Sequence, residues 1–361
     1  MNTRKVVAWT AAVVGAAAVG VWLYRLTHPA DARGPATPDP GRNRPPLPDG
    51  LFDMPEGIID HEFETHDGGV IHAIEKGSGQ PLVLIHGLTL RSDVWAPQFH
   101  HLTDRFRVIA VDLRGHGSSR PGREGFGLER LGDDLATLLE HLDLHDAIVV
   151  GHSMGGMTIM ECCVHHPEVV AERVAGVIFM ATRAHQAIPP VIDGPLRSLL
   201  GRGQAMIDRG EPLPARAQIN ERLARLAFGQ HPSRRAVAVV AEMGGSMDPA
   251  SLVPSVDQIF DLDVREPLRR TNTPSLVMVG TRDLLTPVPS GRQLARLLPD
   301  CDFVVLPRAG HQLMQERPDE VDEIITGFAD RIAGRVESLS QAVDVDPGPV
   351  TSEQVERPGE A

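Results

Sequence analysis

From about residue 56 to residue 334, short apolar runs alternate with stretches of helical apolar spacing. That alternation predicts βαβ units on a mostly parallel sheet flanked by helices, an α/β fold. The segment HEFETHDGGVIHAIEKG predicts an opening hairpin turned at Asp67-Gly68-Gly69. Strands are then predicted at Leu82–Ile85 (bounded by Pro81 and Gly87), Arg107–Val111, Ala147–Val150, Val174–Met180, Ser275–Val279 and Phe303–Leu306. Helices are predicted at Leu128–Leu142, along MGGMTIMECCVHH after Ser153, and at Met314–Ile332. Residues 183–265 break the rhythm with helical patches, Pro breaks and no convincing strand. An insertion of that size is too long for a plain loop and reads as a helical lid.

The flanks follow other patterns. Residues 1–27 contain the uncharged run Val6–Tyr24, preceded by Arg4 and Lys5 and followed by Arg25. A helix of this length nearly spans a hydrocarbon core of ~30 Å, and Trp9, Trp22 and Tyr24 lie near its ends. The run reads as a single-pass N-terminal anchor with the catalytic body outside the cytoplasm. The small-x-small triplet Ala30-Asp31-Ala32 keeps open the alternative of a cleaved signal and a secreted protein. Residues 28–55 are rich in Pro, Gly, Asp and Arg and read as a semi-extended linker. Residues 335–361 are polar, acidic and Pro-containing, and read as a disordered tail.

Composition narrows the functional classes. A net charge of −13, spread along the chain, argues against a nucleic-acid partner. The three cysteines, Cys162, Cys163 and Cys301, are an odd number without framework spacing and read as buried apolar residues. No metal site is expected. His100-His101 and His165-His166 are adjacent and do not share a helix face, and His141/His145 lack the H-E-x-x-H pattern. No dinucleotide fingerprint or phosphate loop is present, so no cofactor is expected.

The chemistry concentrates in a few positions. Gly151-His152-Ser153-Met154-Gly155-Gly156 matches G-x-S-x-G between a predicted strand and a predicted helix. A serine on that sharp turn has its Oγ exposed at the sheet edge, and the glycines leave room for the turn. A serine hydroxyl is a poor nucleophile until a base takes its proton. Of 16 histidines, His311 is the one between the final strand and the final helix. Asp283, in the GTRD that follows SLVMVG, is the candidate carboxylate to orient it. Asp302, its rival, lies at a strand start, on the wrong edge. Backbone N–H groups of Leu88 and Met154 are the expected oxyanion donors. His86, Trp95 and His152 are candidate pocket residues, with a scaffold role the plainer reading of His86.

The motifs IHG (85–87), DLRGHGSS (112–119), GHSMGG (151–156), GTRD (280–283) and GH (310–311) resemble the α/β-hydrolase superfamily in its lid-bearing, esterase-like branch. The resemblance implies Ser153, Asp283 and His311 as a triad with Leu88 and Met154 as oxyanion donors. It implies no catalytic role for Asp112 or His116. The serine at 153 departs from the aspartate of haloalkane dehalogenases and epoxide hydrolases. The expected activity is hydrolysis of a small or apolar carboxylic ester through an acyl-enzyme. Acyltransferase, thioesterase, lactonase, carbon–carbon hydrolase and cofactor-free perhydrolase chemistry use the same constellation, and a silent binding member is the alternative outside catalysis.

Overall fold

The opening hairpin forms β1 (Ile59–Glu64) and β2 (Val70–Lys76), paired antiparallel. Its turn requires a left-handed residue, and Gly68 supplies one at φ +81°. The structure, a computed structural model, describes residues 46–185, 190–210, 221–246 and 249–343. Next come β3 (Gln80–Ile85), α1 (Ala96–Leu102), β4 (Phe106–Asp112), α2 (Leu128–His141) and β5 (Ala147–His152). They are followed by α3 (Met154–His165), α4 (Pro167–Arg173) and β6 (Val174–Met180). Beyond β6 the described residues hold helices α5 (Pro190–Asp208), α6 (Glu221–Ala224), α7 (Arg234–Ser246), α8 (Pro249–Asp261) and α9 (Arg265–Leu268) before β7 (Ser275–Gly280). The last described elements are α10 (Val288–Leu297), β8 (Cys301–Leu306), α11 (Leu313–Glu316) and α12 (Pro318–Val343).

The described strands form one eight-stranded sheet in the order β1-β2-β4-β3-β5-β6-β7-β8. From β4 to β8 all neighbours are parallel. Strands β5 and β7 are buried at every position, as parallel strands covered on both faces must be. Their side chains alternate between two cores. Leu82, Leu84, Ile148, Val150, Ile178 and Met278 face one, with Phe99 of α1 and Phe328 of α12. Val83, Ile85, Val149, Val177, Phe179 and Val277 face the other, with Leu135 of α2, Ile159 of α3 and Leu294 of α10.

Several boundaries differ from the sequence expectation. Pro81, expected to bound β3, lies within it; pairing with β5 begins only at Leu82, so its missing N–H breaks no bond on that side. The body begins before residue 56: Phe52 is buried in the first core, with Leu47 and Met54 packed against it. The expected Met314–Ile332 helix is two helices, because Pro318 stands at the start of α12 and cannot continue α11. Helix α12 runs to Val343, past the expected tail boundary at 334, and residues 344–361 lie outside the described residues. The expected anchor and most of the linker, residues 1–45, also lie outside them. No helix among the described residues is long and apolar enough to cross a membrane.

Candidate active site

Strand β5 passes directly into α3 through Ser153, which adopts φ +52°, ψ −113°. A non-glycine residue there costs on the order of 1–3 kcal/mol and persists only when its surroundings hold it. The hold is backbone on both sides. Ser153 N–H donates to Met180 O at 2.9 Å. Ser153 O accepts from Gly156 N–H at 3.0 Å, Met157 N–H at 3.3 Å and Thr182 Oγ1 at 2.7 Å. A Cβ on Gly155 would collide with the backbone oxygen of Ile85, so the close approach of α3 to β3 requires glycine.

His311 and Asp283 meet from the loops after β8 and β7. Both are 4% exposed, and His311 Nδ1 lies 2.8 Å from Asp283 Oδ2. Asp283 Oδ1 accepts Leu285 N–H at 2.7 Å and Thr286 N–H at 2.8 Å, and Oδ2 accepts Thr286 Oγ1 at 2.6 Å. Burial alone would raise this carboxyl. The His311 charge and hydrogen bond, with the Thr286 donors, outweigh it and hold Asp283 below the usual carboxylate range. A carboxylate so saturated accepts from Nδ1–H, which leaves His311 Nε2 as the basic nitrogen. His152 joins this pair to the serine turn. Its ring lies 4.7 Å from the His311 ring, and its Nε2 donates to His311 O at 2.9 Å. Burial, then the nearby His311, pushes His152 down to about 3, so it stays neutral.

Met154 is the first residue of α3, where N–H groups precede the helical ladder. Gly87, the residue before Leu88, packs beside the Ser153 Cβ: a Cβ placed on Gly87 would lie 3.0 Å from it. Of the two expected oxyanion donors, Met154 thus directly follows the serine and Leu88 follows the glycine packed beside it. His86 is fully buried; its Nδ1 donates to Gly87 O at 2.7 Å and its Nε2 accepts Leu113 N–H at 3.1 Å. That is a scaffold bridge. Trp95 is also fully buried, within the first core. Asp112 holds the 112–119 turn, accepting Ser92 N–H at 2.6 Å and Ser118 N–H at 2.9 Å, and lies 3.0 Å from His72 Nδ1. Among the described residues no cluster of His, Cys, Asp or Glu is disposed to hold a metal.

The sequence matches a family model described as the α/β hydrolase fold over residues 80–318. The chain belongs to this family. Among its relatives is a non-heme chloroperoxidase of Kitasatospora aureofaciens, 29% identical over 68% of this chain and 90% of that protein. Another is the 2-(acetamidomethylene)succinate hydrolase of Mesorhizobium japonicum, 30% identical over 71% of this chain and 90% of that protein. Among solved structures, a thermophilic esterase from Thermogutta terrifontis in a malate-bound form matches with TM-score 0.65 and 26% identity. It covers 76% of this chain and 99% of its own.

In this hydrolase three site residues carried no sequence signal. Thr182 and Thr286 brace the serine turn and the acid loop, yet threonine after a strand is unremarkable. Glu316 is buried behind the His311 loop, where its carboxylate accepts backbone N–H groups. Such roles depend on contacts between distant segments, which no local pattern records. The helices expected at 183–265 are present as α5 to α8, but where they lead a substrate is not a matter of pattern either.

Proposed function

We propose that this hydrolase cleaves carboxylic esters through a serine acyl-enzyme, with Ser153 as nucleophile, His311 as base and Asp283 as the carboxylate that orients the base. The observation that carries the reading is the 2.8 Å contact of His311 Nδ1 with a buried, fully bonded Asp283, joined through His152 to the strained serine turn. Ser153 Oγ attacks the ester carbonyl while His311 Nε2 takes its proton. The tetrahedral oxyanion lies between the N–H groups of Leu88 and Met154. Collapse expels the alcohol, which leaves with the proton from His311. Water then repeats the sequence and releases the acid. The likeness to an esterase and to a succinate-derivative hydrolase supports hydrolysis. The likeness to a chloroperoxidase favours one second reading, hydrogen peroxide as acyl acceptor with a peracid as product.

The test is hydrolysis of p-nitrophenyl esters from acetyl to palmitoyl by the purified full-length chain, beside Ser153→Ala. Ester turnover that falls at least about a thousandfold in the variant is expected, with the chain-length optimum reporting the acyl preference. Hydrogen peroxide added to the same assay reads peracid formation. A wild-type chain that neither turns over esters nor reacts with a fluorophosphonate overturns the serine-hydrolase reading.

A further inference from the structure

The loop that carries His311 is gripped from outside the sheet. Glu316 Oε1 accepts Gly310 N–H at 2.9 Å, and Oε2 accepts Gly229 N–H at 2.8 Å and Gly310 N–H at 3.1 Å. Gly229 belongs to the segment 225–230 that leads to α7, far from His311 in sequence. The same segment reaches the loop twice more. His311 N–H donates to Ala227 O at 2.7 Å, and Gln230 N–H donates to Arg308 O at 3.1 Å. The approach is backbone to backbone, for a Cβ on Gly229 would collide with Arg308 O. One buried carboxylate thus satisfies N–H groups on both segments at once. The buried Gly310 N–H could not go unpartnered without cost.

We infer that Glu316 is a positioning residue for the base, setting the His311 loop against the 225–230 segment so that the imidazole meets Ser153 in the reactive geometry. The inference rests on the reading of Ser153 and His311 as nucleophile and base. Both carboxylate oxygens accept, so the ionised form is the one that grips. Protonation turns one acceptor into a donor facing an N–H. Burial raises the Glu316 carboxyl to about 7, while the two backbone donors and Arg317 favour the charge and Asp283 opposes it. Arg225 and Arg308 stand on the two segments it joins, and Arg225 spends its guanidinium on Phe228 O and Gly229 O. The grip is therefore titratable in the neutral range.

The test compares fluorophosphonate inactivation rates of the full-length wild type, Glu316→Gln and Glu316→Asp, per mole of folded protein, with kcat and KM on p-nitrophenyl acetate alongside. Glu316→Gln keeps the volume but points an amide N–H₂ at a backbone N–H. It is expected to react about tenfold more slowly, with kcat lowered and KM little changed, and with a shallower rise in rate between about pH 6 and 8, because only the rise due to the base itself remains. Glu316→Asp, which keeps two acceptor oxygens, should recover part of the rate. A Glu316→Gln protein that melts earlier but reacts at the wild-type rate, with an unchanged pH profile, overturns the inference and leaves a purely structural glutamate. A wild type that the probe does not label overturns the serine-hydrolase reading itself, and this inference with it.

Discussion

The serine turn and the His311 loop stand at the same edge of the sheet but are held in different ways. The turn is anchored from within: Ser153 bonds to β6 through Met180, to Thr182 just beyond that strand, and to its own helix through Gly156 and Met157. The His311 loop shares bonds with the sheet side, through His152 to His311 O and through Arg282 N–H to Ala309 O, but is also held from outside, by Glu316 and by the 225–230 segment. A nucleophile built on strained backbone needs neighbours that cannot move, and the buried centre of a parallel sheet supplies them. The proposed base sits where the chain has already left the sheet, so its placement depends also on side chains and on a segment of the insertion. The proposed nucleophile should therefore be less sensitive than the proposed base to single polar substitutions around it.

Three substitutions probe that contrast and a fourth serves as its control, in falling order of effect. Asp283→Asn leaves the volume but favours the wrong imidazole tautomer, and kcat is expected to fall on the order of 10³–10⁴-fold in steady-state ester assays. Thr286→Val removes the hydroxyl bond to Asp283 Oδ2 on the His311 side. A hydrogen bond to a charged group, ~1.5–3 kcal/mol, corresponds to a loss of about ten- to a hundredfold in kcat/KM. Thr182→Val removes the matching hydroxyl on the serine side, but Ser153 O keeps its two backbone donors. Its rate should change by less than about threefold, while Tm drops by about 2–4 °C. A Thr182→Val protein that loses more rate than Thr286→Val would break the contrast.

The last substitution concerns β2, away from the candidate site residues along the sheet, and should alter stability without altering chemistry. His72 bridges Asp112 at 3.0 Å and Asp60 at 2.9 Å. The Asp112 bond, against a smaller opposing effect of burial, raises His72 from 6.5 to about 9. A folded-state value above the unfolded one gives stability that is complete below about 6.5 and lost as pH rises through about 9. Urea midpoints measured from pH 6 to 10 should decline in the wild type and flatten in His72→Asn.

The placement of the three candidate residues was legible because each follows a strand whose apolar pattern is unambiguous. Ala147–Val150, Ser275–Val279 and Phe303–Leu306 all lie inside observed strands, so Ser153, Asp283 and His311 fall at one edge by topology alone. Short amphipathic pieces were harder. Helix α1 opens with Ala-Pro and is only two turns long, too little for periodicity to register. The break at Arg317–Pro318 hides inside a pattern that stays helical on both sides. Glu316 reads as one more acid near a helix start; only the fold reveals that Gly229 lies within reach of it.

His185 and Asp263 form an isolated antiparallel bridge, and Val264 N–H donates to Ala184 O at 3.0 Å. The chain thus leaves the sheet layer and comes back through a pinched neck. Whatever lies between these residues is a loop whose ends are already tied. The entropy of closing such a loop grows slowly, by about 0.6 kcal/mol for each doubling of its length. The region can lengthen, shorten or be exchanged over generations while the sheet beneath keeps its register. What limits that freedom is the backbone of Ala227, Gly229 and Gln230, which any replacement must still offer to the loop of the proposed base, and the α7 residues that complete the first core.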